Sequence, residues 1–369
     1  MNHDLTRHPD WRPPFCPNPN CRHHKELHST WRYRRIGFFT RRTPPHRIQR
    51  YRCLHCGVSF SSQTFSTSYY LKRPHILTQL PLLLVSGCAL RQIARLLRCS
   101  VQTVMRQTSR LARHCLLFHA RRLLHYTPTG PLVIDGIESF ELSQFYPFHH
   151  HLAVEADTGL LAYFTDSELR RKGRMTAAQK LRRQQLERRF GRPDPQAVRH
   201  DMGHLLEVVL GNADHATVRS DDHRVYPVLL RRLRCRVRHE VTSGRRRRDR
   251  RNPLFMVNLV DLMLRHCSAN HRRETLAWSK RRQGSAERLA VFLVWWNEMK
   301  PRFLKRGGAS AAMLKGWRDR LLTVGELLQQ RLFRTRQWLP ARWDAYYRRL
   351  VETRALPGRN TRHELVRAF

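Results

Sequence analysis

Acidic residues are scarce in this sequence: its 369 residues include 28 Asp and Glu against 70 Lys and Arg, a formal net charge of +42. A compact fold of that charge repels itself unless a polyanion neutralises part of its surface, and nucleic acid is the commonest such partner. A GC-rich genome can explain about a quarter of the arginine excess by our estimate. The remainder predicts a nucleic-acid partner.

Long apolar runs are also missing. The stretch LTQLPLLLVSGCAL, residues 77–90, contains a proline and is too short to span a bilayer, and MNHDLTRHPDWRPPF at the start lacks the apolar centre of a signal peptide. We therefore expect a cytoplasmic, nucleoid-associated protein without a membrane partner. In such a chain, nine irregularly spaced cysteines indicate metal ligands or buried thiols rather than a disulfide framework.

Local composition divides the chain into four regions and predicts a multidomain α+β fold. Residues 12–68 are rich in Cys, His and Pro and are typical of a zinc-ribbon-like module, and residues 70–126 show helical periodicity. Residues 128–300 contain short β-rich segments and predict an α/β core with a basic insertion near 168–200. Residues 301–369 are predicted to form a basic helical C-terminal region.

Two cysteine pairs predict a structural zinc site in the first region. Cys16 and Cys21 form one pair, and Cys53 and Cys56 form the other within CLHCG. Four thiolates can surround zinc tetrahedrally, and the glycine after the second pair allows a tight turn that directs backbone amides at sulfur. Four nearby histidines are alternative ligands: His23, His24, His28 and His55. The other possibility is that the four thiols bind no metal.

The segment LRQIARLLRCSVQTVMRQTSRL, residues 90–111, has the spacing of a helix-turn-helix. One apolar helix ends near Leu97, and Ser100 supplies an N-cap hydroxyl for the next. In this motif the first turn of the second helix meets base edges in the major groove. We therefore predict that Gln102 and Thr103 contact base edges. Arg106 and Arg110 are predicted to contact phosphates. An ordinary helical hairpin is the alternative.

Two aspartates are predicted at the ends of strands in the α/β core. Asp135 ends the apolar segment PLVID, and Asp221 ends ATVRSD. With a further acid from a later helix, they would form a site for two divalent cations, Mg²⁺ or Mn²⁺, that support phosphoryl transfer. For each aspartate alone, a turn residue or helix cap is the alternative.

Four motifs in this order resemble a DDE transposase of a bacterial insertion sequence, most similar to the insertion-sequence-one type. They are RYRCLHCGVSFSSQT, VIDG, SDDHRVY and MLRHCSANHRRETLAWSKR, flanking the helix-turn-helix. The resemblance covers about residues 16 to 300. It implies a ribonuclease-H-like catalytic core, Mg²⁺ dependence, recognition of terminal inverted repeats, and strand cleavage and transfer at the ends of a mobile element by a homo-oligomer on DNA.

By this resemblance, Asp135 matches the first catalytic acid and Asp221 the second. Asp222 stands where the family often has glycine, and its side chain is expected to point away from the metals. The third position departs from the family, because Asn258 stands where glutamate is expected. Asp261, one helical turn later, shares a face with Asn258 and is our choice of ligand.

Two alternatives remain at the third position: Glu274 supplies the acid, or the site is incomplete and the protein binds DNA without cutting it. We also expect basic residues around the third acid to hold phosphates, with a solvated helix face as the alternative reading: Arg265, Arg272, Arg273 and Lys280. A zinc-ribbon RNA-binding or ribosome-associated factor would share the charge but not explain the placement of the acids.

Overall fold

The computed structural model describes residues 6, 10–25, 30–272, 274–303 and 308–356. These residues form eight strands and eleven α-helices. The strands are β1 (Tyr33–Thr40), β2 (Arg47–Cys53), β3 (Ser59–Ser61), β4 (Leu132–Phe140), β5 (Pro147–Glu155), β6 (Leu161–Glu168), β7 (His215–Ser220) and β8 (Arg236–Val241). The helices are α1 (His75–Val85), α2 (Leu90–Leu96), α3 (Val101–Leu123), α4 (Ala177–Phe190), α5 (Ala197–Leu210), α6 (Val225–Leu230), α7 (Phe255–Cys267), α8 (Arg282–Val294), α9 (Ala311–Leu314), α10 (Val324–Leu327) and α11 (Ala341–Tyr347).

The N-terminal module is an antiparallel sheet in the order β1-β2-β3. Its small core combines cysteines with aromatic rings, including Tyr51, Phe60 and Phe65, and it takes in Phe333 from the C-terminal region. Such a core buries little aliphatic surface, so the module depends on additional cross-links such as a metal.

The central sheet has five strands in the order β6-β5-β4-β7-β8, which makes the fold a mixed α+β one. Strands β4, β5 and β6 are antiparallel, whereas β7 runs parallel to both β4 and β8. A DTG turn at residues 157–159 joins β5 to β6, with Gly159 at a φ of 71° that glycine adopts without strain. Helices α4 and α5 form the long connection from β6 to β7.

Three consecutive histidines, residues 149–151, lie within β5. His150 and His151 are buried, and burial lowers the pKa of His150 to about 4 and that of His151 to about 3. They are neutral core residues.

The helices that precede the sheet share its hydrophobic core. The second half of α3, including Leu116, Leu117 and Leu123, packs in one continuous cluster with residues of β4, β6 and α8. The boundary predicted between residues 126 and 128 therefore does not separate two cores. A 23-residue helix is long enough to begin in the helix-turn-helix and end beneath the sheet.

The C-terminal region differs from the prediction of long helices. In the described part, α9, α10 and α11 have four to seven residues each and are joined by irregular segments. Trp343 is fully buried against Tyr163 and Phe164, and the backbone amide of Arg331 donates to the carbonyl of Phe65. The region ties the N-terminal module to the central sheet. No helix in the described residues combines the length and apolar character needed to cross a membrane.

Candidate functional site

The four predicted cysteines converge on one point. The sulfur atoms of Cys16, Cys21, Cys53 and Cys56 lie within 4.8 Å of one another, and those of Cys16 and Cys56 are 3.6 Å apart. Tetrahedral coordination with Zn–S bonds of about 2.3 Å places sulfurs roughly 3.8 Å apart. The cluster is compatible with a zinc site.

Nearby groups favour the thiolate of Cys53, whereas burial raises the pKa of Cys16 and of Cys21. Burial opposes ionisation of Cys53, but hydrogen bonds from the Cys56 amide and the Trp31 indole outweigh it and lower the pKa to about 7. Gly57 has a φ of 71°, as the expected turn requires. His24 uses both ring nitrogens elsewhere, on the Cys16 carbonyl and the Thr335 hydroxyl, and His28 lies outside the described residues.

Three aspartates from separate elements line a second candidate site. Asp221 immediately follows β7, as predicted, and Asp261 lies on α7, which packs against β4 and β5. Asp135 lies in the middle of β4 rather than at its end, because the strand continues to Phe140 beside β5. All three line one cleft of about 1640 Å³.

Electrostatics couple these aspartates through Asp135. Burial, and then the negative charge of Asp135, raises the pKa of Asp261 to about 8, while Arg265 and Arg248 oppose the shift. The pKa of Asp135 is raised by burial and by Asp221, against a hydrogen bond from the Gly136 amide and the charge of Arg248. The charge of Asp221 thus acts on Asp135, and that of Asp135 acts on Asp261; none of the three has a close salt bridge in the described residues.

The carboxylates fit divalent cations. Among the described residues, Oδ1 of Asp261 is buried without a hydrogen-bond partner, and carboxylate oxygens are ligands that Mg²⁺ and Mn²⁺ favour. The oxygen atoms of the three carboxylates do not all lie within 4.8 Å of one another. In the described residues, only the four cysteines form a group that close. If divalent cations bind in this cleft, Asp135, Asp221 and Asp261 are the residues that would hold them.

The other acids considered from sequence lie elsewhere. Asp222 is exposed and does not line the cleft, and Glu274 is exposed outside it with a φ of 52°. Asn258 does line the cleft, one turn before Asp261 on α7. Of the sequence candidates for the third acid, Asp261 is therefore the one placed near Asp135.

Arginines surround the acids. Arg265 and Arg272 line the cleft as predicted, and Arg265 also donates to the carbonyls of His271 and Glu138. Arg273 lies outside the described residues. Lys280 does not line the cleft, because its ammonium lies 3.7 Å from the ring centre of Trp278.

Sequence reasoning missed two arginines of the cleft. Arg246 and Arg248 come from the arginine-rich segment that follows β8. The signal was present as the run at residues 245–248, but a charge run by itself does not show which surface it faces. The loop brings its charges to the acids only because β8 pairs with β7 at the edge of the sheet.

Helices α2 and α3 have the predicted helix-turn-helix spacing, and one of the four residues expected to contact DNA is buried. The Ser100 hydroxyl accepts from the Thr103 amide at 3.1 Å and caps α3, and Gln102 and Arg106 are exposed. Thr103 is partly exposed and shares a hydrogen bond with Ser100. Arg110, predicted to reach phosphates, is only 7% exposed and donates to the Tyr69 carbonyl. The Arg110 side chain is turned inward, towards the segment that precedes α1.

No family model and no curated protein matches the sequence. Among solved structures, the chain is similar to one in a cryo-EM structure of the simian T-cell lymphotropic virus intasome with PP2A regulatory subunit B56 gamma, at 12% identity and a TM-score of 0.24, covering 64% of this chain and 73% of that one. It is also similar to the HTLV-2 integrase catalytic core domain in complex with magnesium, at 12% identity and a TM-score of 0.21, covering 50% of this chain and 93% of that one. TM-scores this low carry no argument about fold or function.

Proposed function

We propose that this protein is a DDE-type transposase that performs metal-dependent cleavage and strand transfer on DNA. The observation that carries the proposal is the meeting of Asp135, Asp221 and Asp261 in one arginine-lined cleft. Six acids of the described chain line the cleft, and three of them have ion-pair partners: Glu138, Glu168 and Asp194. In a chain of net charge +42, three further acids brought together from distant segments, with no close salt bridge in the described residues, call for a chemical role. We assign the surrounding fold to the ribonuclease-H-like class on the same grounds and on the resemblance of the motifs.

In this proposal, Asp135, Asp221 and Asp261 hold Mg²⁺ or Mn²⁺. When bound, the cations activate a water or a 3′-hydroxyl and stabilise the leaving oxygen. Arg246, Arg248 and their neighbours in the cleft bind phosphates and limit repulsion between the DNA and the acids. They also balance the acids' charge before a cation arrives.

The N-terminal elements supply DNA recognition in this proposal. Gln102 and Thr103 read the terminal inverted repeats, Arg106 contacts a phosphate, and zinc on the four cysteines holds the N-terminal module folded. The protein acts as a homo-oligomer, since two DNA ends must be brought together for transfer.

The test is cleavage of duplex DNA containing the sequences that flank the protein's own gene, with Mg²⁺ or Mn²⁺. Asp135→Ala and Asp221→Ala should each reduce the cleavage rate by at least about 100-fold. Loss of a residue that only hydrogen-bonds a metal ligand can cost up to about 100-fold, and loss of the ligand itself should cost at least as much. Asp222→Ala is the matched control, since Asp222 adjoins Asp221 but is exposed outside the cleft.

Other outcomes separate the alternatives. Wild-type protein that binds the flanking sequences selectively but never cuts them would support a catalytically inactive, transposase-derived DNA-binding protein. Preference for structured RNA over any duplex DNA would support the RNA-binding alternative. Cleavage that survives alanine at all three aspartates would end the enzymatic proposal.

A further inference from the structure

A separate groove lies outside the cleft that contains Asp135, between the N-terminal sheet and the segment that leads into α1. Its volume is about 1120 Å³. We call it the aromatic groove and define it by Phe39, Tyr69 and Tyr70. Of the residues that the structure describes, no acidic one lines the groove and six basic ones do: Arg41, Arg42, Arg50, Lys72, Arg73 and Arg331. Its charge selects a polyanion.

Two aromatic side chains are exposed in this groove. Tyr70 is 80% exposed and its ring lies 4.6 Å from that of Tyr69, while Phe39 is 40% exposed. Tyr70 also has a φ of 58°, in the left-handed region that bulky residues rarely adopt. Packing does not explain a strained, exposed ring, and residues held in this way cluster at ligand sites.

The walls of the groove are already fixed without a ligand. The guanidinium of Arg41 donates to the side chains of Gln63 and Thr43 and to the carbonyl of Leu71. These bonds hold the β1–β2 loop against the segment that precedes α1. Arg331 lies over the Tyr69 ring at 5.1 Å from its centre. A preformed site loses less conformational entropy when a ligand binds.

We propose that the aromatic groove binds unpaired nucleotides of a DNA strand. Single-strand sites combine a cationic groove that follows the backbone with aromatic rings on which bases stack, and both components are present here. A duplex presents phosphates but keeps its base faces stacked inside. Duplex DNA therefore satisfies the charge of the groove but leaves Phe39 and Tyr70 without a stacking partner.

The position of the groove favours DNA over RNA. Lys72 and Arg73 line both the aromatic groove and a neighbouring cavity of about 970 Å³ at the start of α3, which includes Ser100 and Thr103. A strand that leaves a duplex held by α3 would pass directly along these shared cations. This part of the inference rests on the proposed duplex binding by α3, while the stacking site stands on its own geometry.

Fluorescence anisotropy with a labelled oligothymidylate of about ten nucleotides tests the proposal on the full chain. Tyr70→Ala and Phe39→Ala should each weaken binding by about 5-fold or more, the effect of losing one base–aromatic stack. Tyr70→Phe should bind like the wild type. Phe38→Ala is the matched control, because Phe38 is 48% exposed on the same strand but does not line the groove.

Ligand variation completes the test. An abasic oligomer of equal length should bind more weakly than oligothymidylate and should not respond to Tyr70→Ala. Equal binding of both oligomers, or equal effects of Phe38→Ala and Tyr70→Ala, overturns the proposal. Tighter binding of oligouridylate would overturn the assignment to DNA, and equally tight competition by polyglutamate would point to an acidic protein instead. Oligothymidylate binding that weakens with Tyr70→Ala, in a protein that never cleaves the flanking DNA, would leave this proposal standing while ending the enzymatic one, so the two failures are distinguishable.

Discussion

Asp135 acts on Asp261 across the cleft: after burial, the charge of Asp135 is the second cause that raises the pKa of Asp261 to about 8. The two residues come from a central strand and from a helix much later in the chain. A cation between them would reverse this repulsion and favour ionisation of both.

Asp261 is therefore expected to be the third ligand. Asp261→Ala should reduce Mg²⁺-dependent cleavage by at least about 100-fold, as for Asp135→Ala. Glu274→Ala should stay close to wild type, because Glu274 lies outside the cleft. Cleavage rates of both variants in Mg²⁺ and Mn²⁺, with duplex binding as a control for folding, measure this. A larger loss from Glu274→Ala would contradict the assignment.

The cysteine cluster should carry about one zinc per chain. Cys53→Ser or Cys56→Ser should release it and unfold the N-terminal module, because its small core cannot fold alone. Metal content by mass spectrometry and protease sensitivity of residues 12–68 provide the measurement. Cys99→Ser is the control, since Cys99 lies outside the cluster. Metal-free protein with a protease-resistant module would refute this prediction.

The two arginines of α3 should behave differently on DNA. Arg106→Ala should weaken binding on all duplexes and lower the salt-dependence slope by about 1, as expected for a lost phosphate contact. Arg110→Ala should instead lower thermal stability, because Arg110 is buried and bonded to the Tyr69 carbonyl. Binding titrations at several salt concentrations, with melting curves, separate the two effects. A reduced salt slope for folded Arg110→Ala would show that the residue does reach DNA.

Gln102→Ala should reduce preference for the flanking sequences more than total affinity, since base contacts carry specificity and phosphate contacts carry most affinity. The measurement is the ratio of affinities for flanking and unrelated duplexes. A uniform loss on both duplexes would mean that the start of α3 does not read bases.

A buried ionic network should hold the C-terminal helix on the sheet. Asp166 is fully buried, 2.9 Å from Arg282 and 2.7 Å from Arg342. Burial opposes its ionisation, but the two arginines lower its pKa to about 2. Asp166→Ala removes the carboxylate partner of Arg342 and leaves Arg282 paired with Glu168, and it should lower the free energy of unfolding by about 3–5 kcal/mol in urea. Asp194→Ala, at an exposed pair with His200, should change it by less than about 0.5 kcal/mol.

His119 should make stability depend on pH. It is buried, its Nε2 lies 2.8 Å from the Ala162 carbonyl, and burial lowers its pKa from 6.5 to about 4. Between these values the unfolded chain binds a proton that the folded chain excludes, so stability falls by about 1.4 kcal/mol per pH unit as pH drops. His119→Gln should reduce the slope of the melting temperature against pH by the share of one proton and leave the rest, because other buried histidines also have lowered pKa values, including His114, His150, His151 and His271. The exposed His200→Gln is the control. An unchanged slope for His119→Gln would count against the prediction.

Local patterns in the sequence determined much of this protein. The two cysteine pairs, the Ser100 cap, the hairpin at Asp157–Gly159 and the helix around Asp261 all depend on residues within a few positions of one another. Spacing and turn chemistry are read from such neighbours directly, because the backbone geometry they require is local.

Tertiary structure decided how these parts combine. The strand order placed Asp135 beside β7 and Asp221, and packing of α7 on β4 and β5 brought in Asp261 rather than Glu274. The same packing turned Arg110 inward, put the arginines after β8 into the cleft, and carried Phe333 to the N-terminal module. These contacts join residues far apart in the chain. They follow from which apolar faces bury together, and local periodicity does not specify that choice.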